Sequence, residues 1–172
     1  MTQAVNFNAP VPRALRKHLA VELAALGALA FGVLVYALDR LPESVYFLPA
    51  GWSLAEGGVR WFGSLGGQLP EFLHVYAFAL LTAAVLASSR RLALLSCAVW
   101  WGLDSLVELG QHAAISPQIA AAVPAWFAGI PFLENTGLYF THGTFDPLDF
   151  IAIAVGAVAA YFTIVIYIRE ED

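Results

Sequence analysis

Six polar side chains interrupt otherwise apolar stretches of this chain: His74, Asp104, Glu108, Gln111, Asp146 and Asp149. A histidine beside a carboxylate can exchange a proton near neutral pH, so His74 with Glu108 or Asp149 forms a candidate acid–base pair. Asp104, Glu108 and Gln111 are spaced i, i+4, i+7 and share one face of a helix. Asp146 and Asp149 stand three apart at the head of an apolar run that carries no further charge until Arg169. A carboxylate at a helix start also meets the positive end of the dipole and accepts backbone N–H groups. "TFDPLD" therefore reads equally as a cap, with Thr144 or Asp146 capping and Pro147 in the first turn. For His74, Asp104, Glu108 and Gln111 the competing reading is plain interhelical hydrogen bonding.

Composition says what must position these groups. The 172 residues are 60% hydrophobic and 12% charged, with mean hydropathy +0.73. Soluble domains average about 45–50% apolar and about 25% charged residues. That charge deficit leaves too little polar surface to coat a water-soluble globule, so the chain reads as an integral membrane protein. A net charge of −5 without a basic stripe argues against nucleic-acid binding. The single cysteine, Cys97, excludes an intrachain disulfide.

A membrane-spanning helix needs about 20 mostly apolar residues. Four segments qualify, over 19–38, 71–89, 92–111 and 148–168. The predicted fold is an all-α, four-helix transmembrane bundle forming one domain over 1–172. Arg13, Arg16, Lys17, Arg90, Arg91 and Arg169 fall on one side of it, and Arg40 and Arg60 on the other. The positive-inside rule then puts both termini in the cytoplasm and loops 39–70 and 112–147 outside. The first segment reads as a retained anchor, because its apolar run is long and "YALDRLPESVY" offers no small-x-small cleavage site. Residues 1–12 read as a flexible or surface-lying tail.

Neither outer loop looks fully aqueous. Loop 39–70 carries Trp52, Trp61 and Phe62, which suit the headgroup zone, and its pattern allows a short interfacial helix over 54–65. Loop 112–147 contains Trp126, Phe127, Ile130, Phe132 and Leu133. It is expected to lie on the bilayer, fold back into the bundle or contact a membrane protein partner. Pro117, Pro124 and Pro131 forbid one spanning helix there.

Placed by depth, the six polar groups converge. His74 lies one turn into the second span from the outer side, Glu108 and Gln111 end the third, and Asp149 opens the fourth. An Asp at mid-helix costs about 2.5–3.5 kcal/mol on insertion scales, so such groups face the bundle interior and pair. Glu22 belongs to the opposite leaflet, near Arg13, Arg16 and Lys17. His112, Glu134 and His142 lack paired metal-ligand spacing, so no metal is expected. Proton or ion passage is disfavoured, because the inner halves of the second and fourth spans carry almost no polar groups.

"LPEFLHVYAF", "ELGQ" and "FDPLDFIAIAVGA", in that order, resemble the VanZ-like family of small bacterial membrane proteins. The family's helix-start His, Glu-x-x-Gln and Asp with Gly seven residues on match His74, Glu108, Gln111, Asp149 and Gly156. The resemblance covers about 68–161. The chain departs from the pattern at Val107, where the family has an acid, at Ile153, where it often has a polar residue, and in lacking Arg or Lys between Gln111 and Asp149. The resemblance implies a cell-envelope protein of the bacterial cytoplasmic membrane, with a link to glycopeptide-antibiotic resistance and no cofactor. Two functions remain open. In one, the outer-leaflet cluster binds or modifies a lipid or glycan-lipid headgroup. In the other, the chain is a non-enzymatic accessory or assembly subunit of a larger membrane complex, with Trp126, Phe127, Ile130 and Phe132 at the contact.

Overall fold

The computed structural model describes residues 13–41, 44–46, 53–55, 59–86 and 89–168. Among the described residues the regular structure is all helical, and four of the helices are long and apolar enough to cross a membrane. They are α1 (Arg13–Asp39), α2 (Leu65–Leu86), α3 (Arg90–Gly110) and α6 (Pro147–Ile168). Two short helices, α4 (Ser116–Ala122) and α5 (Thr136–His142), lie between α3 and α6. The residue 1–12 tail, Trp52 and Arg169 lie outside the described residues.

The bundle is inside-out by the standards of a soluble core. Its interior is built largely on alanine, with Ala25, Ala28, Ala77, Ala79, Ala83 and Ala160 buried. Leu23, Leu94, Leu106, Val158, Phe162 and Ile166 point outward and are exposed. Lipid tails are as apolar as leucine, so a bilayer supplies no hydrophobic drive between helices, and small residues let the backbones approach closely. This is the distribution of an integral membrane protein.

α2 is the central helix. It packs chiefly on α1 and α6, and α3 sits against both α2 and α6. Gly156 of α6 sets the closest approach, since a Cβ there would lie 2.6 Å from the Phe72 carbonyl oxygen. Tyr76 and Thr163 share a hydrogen bond of 3.2 Å across the same interface. Between α2 and α3, Trp100 Nε1 donates to Thr82 Oγ1 at 2.8 Å. In a medium without water such polar groups must find partners on neighbouring helices.

The spans begin earlier than the apolar runs suggest. α1 starts at Arg13 rather than residue 19, and α2 at Leu65 rather than Glu71. The cause in α2 is Asp39, at the end of α1. Its carboxylate accepts the backbone N–H of Trp61 at 2.7 Å and of Phe62 at 3.2 Å. The chain therefore turns over 61–64 straight into α2. Gly66 leaves room for that carboxylate at the first turn, where a Cβ would push it from its place. The short helix expected over 54–65 is not formed in the described part of that stretch. Residues 53–55, 59 and 60 are irregular, and the amides of Trp61 and Phe62 are spent on Asp39 instead of on a helical ladder.

The second connection is broken by its prolines, as expected. Pro117 sits in the first turn of α4, and Pro124 precedes a single 3₁₀ turn over Ala125–Phe127. The connection folds back onto the end of α3. There Gly110 has no side chain because a Cβ would lie 2.6 Å from the Phe140 ring of α5 and 2.9 Å from Ile119 of α4.

Candidate functional site

Helix ends bring the polar residues to the end of the bundle that carries α4 and α5, in two adjoining groups. The first is a pair. His74 of α2 and Asp104 of α3 meet through Nδ1 and Oδ2 at 2.6 Å. Asp104 is 6% exposed, whereas His74 keeps an open edge. The His74 ring is further held edge-on by Phe78 at 4.5 Å and Trp100 at 6.1 Å, and those two rings stack on each other at 4.6 Å. With Asp104 ionised, Nδ1 carries the proton and Nε2 is left as an acceptor. The partner of His74 is therefore Asp104, and not Glu108 or Asp149. Asp104 lies one turn deeper on α3, which is the level His74 reaches on the antiparallel α2.

The second group ties three helices together around Asp146. Glu108, 3% exposed, accepts the Asp146 backbone N–H through Oε1 at 2.7 Å. Asp146 Oδ1 accepts the Leu148 N–H at 2.9 Å, which is the capping geometry read from "TFDPLD". Its other oxygen accepts from Gln68 Nε2 of α2 at 3.0 Å. Asp149, inside the first turn of α6, has a buried Oδ1 with no hydrogen-bond partner among the described residues. Gln111 ends α3 beside Gly143 and the Tyr139 hydroxyl. Glu108 and Asp146 thus act first as architecture, joining the end of α3 to the start of α6. His74 and Asp104 are left as the pair with chemistry to spare.

Glu71 joins these groups, although in sequence it marks only the start of an apolar segment. It lies within electrostatic reach of members of both groups, His74, Asp104, Asp149 and Glu108. A signal for it existed: it precedes His74 by three residues, which places both on one helical face.

Glu71 and His74 line a cavity of about 500 Å³. α1 and α3 stand on either side of α2 without packing extensively on each other. The space between them is walled by Gly32, Val33 and Tyr36 of α1 and by Val107 of α3. Tyr139 and Phe140 of α5 close the top, together with Tyr46. Asn135 Nδ2 donates to the Tyr46 carbonyl at 2.8 Å and pins that segment to the second connection. Burial, reinforced by the charge of Glu71, pushes the Tyr139 phenol well above its usual range, so it stays a neutral hydroxyl. The space is a groove with mostly apolar walls and a few convergent polar groups, the form that ligand sites commonly take.

The described residues also supply a cation near the groove. Arg40 follows the last residue of α1, with its guanidinium 5.6 Å from the Tyr36 ring centroid and 3.4 Å from the Gly67 carbonyl oxygen. Its charge reaches Asp149. The connection between Gln111 and Asp149 has no such residue, so the guanidinium at this end of the bundle comes from the residue after α1. His112, Glu134 and His142 stay on the second connection, all exposed. Among the described residues no three His, Cys, Asp or Glu side chains are arranged to hold a metal ion. Comparison of the chain with protein-family models, with curated proteins and with solved structures finds no match.

Proposed function

We propose that this is a VanZ-like cell-envelope protein of the bacterial cytoplasmic membrane, with both termini inside, whose groove binds a lipid or glycan-lipid headgroup in the outer leaflet. The observation that carries the reading is the His74–Asp104 pair at 2.6 Å, whose histidine stands in the wall of a mostly apolar groove between α1 and α3. A buried carboxylate that orients a histidine is the arrangement used to move a proton at a bound group. In this reading Asp104 fixes the tautomer, and Nε2 faces the headgroup as hydrogen-bond acceptor or base. The positive-inside distribution of basic residues supports the orientation.

The test is native mass spectrometry of the chain released in the mildest detergent that extracts it. Wild type is expected to retain a defined lipid. His74→Leu removes a hydrogen bond that, to a charged group, contributes about 1.5–3 kcal/mol, so lipid occupancy should fall roughly tenfold or more. Equal lipid retention by the two chains contradicts the reading.

A second reading has its own support. Trp126 and Phe132 are 64% and 56% exposed on the connection between α4 and α5, which suits a membrane protein partner. In that reading the chain is an accessory subunit, and the same spectra would show a stoichiometric protein partner in place of lipid.

A further inference from the structure

The groove is one-sided in charge. Its lining includes the acid Glu71, the open edge of His74 and the rings of Tyr36, Tyr46 and Tyr139, and it contains no Lys or Arg. A carboxylate held among apolar walls calls for a cationic partner, because a charge taken out of water is costly unless it is paired. Aromatic faces favour the same sign of charge. His74 Nε2 is an acceptor when Nδ1 donates to Asp104, so it too calls for a donor.

We infer that the groove holds the primary ammonium of a bilayer phospholipid, with Glu71 as its counter-ion and His74 Nε2 as a second acceptor. This rests on the headgroup reading above and names the headgroup's chemical class. A primary ammonium offers three N–H donors to the acceptors present, whereas a quaternary one offers none. The tyrosines surround the cation, and the neutral Tyr139 hydroxyl adds a further acceptor. Arg40, held beside Tyr36, suits the phosphate that such a lipid carries next to its ammonium. The walls at Gly32, Val33 and Val107 give the acyl chains a way out between α1 and α3.

The experiment reconstitutes the full chain in nanodiscs of equal parts phosphatidylethanolamine and phosphatidylglycerol, which share phosphate and tails and differ in the ammonium. Lipid that stays with the protein after mild detergent release is identified by native mass spectrometry. The expected result is enrichment of phosphatidylethanolamine by about fivefold or more in wild type. Glu71→Gln should return the ratio to that of the disc while lipid stays bound. A second measurement needs no variant: N-acetylated phosphatidylethanolamine, which has lost the charge, should show no enrichment in wild type. Equal retention of the two lipids by wild type overturns the inference and leaves the headgroup reading standing. So does an enrichment that survives both Glu71→Gln and acetylation. A chain that retains no lipid overturns both.

Discussion

A Gly156→Ala chain is expected to melt well below wild type in detergent, and Gly156→Leu to fail to assemble the bundle. The Cβ at this position would lie 2.6 Å from the Phe72 carbonyl oxygen and 3.3 Å from two more backbone atoms of the same residue. Backbone inside a helix cannot rotate aside as a side chain can, so α2 and α6 must separate. Overpacking of this kind costs about 1–3 kcal/mol for small additions, and α2 is the helix on which the others depend. Separation would also loosen the Tyr76–Thr163 hydrogen bond on the same interface. Thermal unfolding followed by circular dichroism measures the loss. Gly102→Ala on α3 is the control, since a Cβ there meets nothing within 4 Å. If both alanine variants melt alike, the close approach at Gly156 does not hold the bundle together.

Glu108→Leu should be the second large effect. Its carboxylate is the acceptor for the buried approach of the Asp146 N–H, and through it α3 is joined to the start of α6. Leucine strands that donor in a medium where water cannot readily replace the lost acceptor, at a cost of about 1–3 kcal/mol. Hydrogen exchange at the Asp146 amide should speed up roughly tenfold or more, the change that 1.4 kcal/mol gives. Glu108→Gln keeps an oxygen in place and should retain most of the protection. Protection unchanged in Glu108→Leu would mean that the 2.7 Å contact contributes nothing to the junction.

The spans were legible in the sequence because their physics is one-dimensional: a run of about 20 apolar residues has few other uses. The start of α2 was not. Gly66, Gly67 and Pro70 look like helix breakers, yet α2 runs through them, and the Asp39 carboxylate takes the space a Cβ at Gly66 would fill. That contact comes from a residue 27 positions away and leaves no local mark. The polar site was legible as a level in the membrane and not as a set of pairs. Spacing put Asp104, Glu108 and Gln111 on one face of α3, but it could not say which of them His74 would meet. The register between α2 and α3 decides that, and it is set by packing across the helices. Glu71 was hidden at a segment boundary, where an acid ordinarily marks the water interface and draws no attention. Arg40 shows the reverse case. The chain from Gln111 to Asp149 has no Arg or Lys, and the guanidinium near this group comes from the end of α1, far away in sequence.

Photolabelling with a diazirine-bearing phospholipid in nanodiscs tests most directly whether a lipid occupies the groove between α1 and α3. Wild type should carry adducts concentrated on peptides containing Gly32–Tyr36 and Glu71–His74. Gly32→Leu should abolish that concentration without unfolding the chain. A Cβ at Gly32 meets only the Leu73 side chain, at 3.8 Å, so leucine can be accommodated while it fills the groove. Adducts spread evenly over outward residues such as Leu94 and Phe162, or a pattern indifferent to Gly32→Leu, would contradict the account.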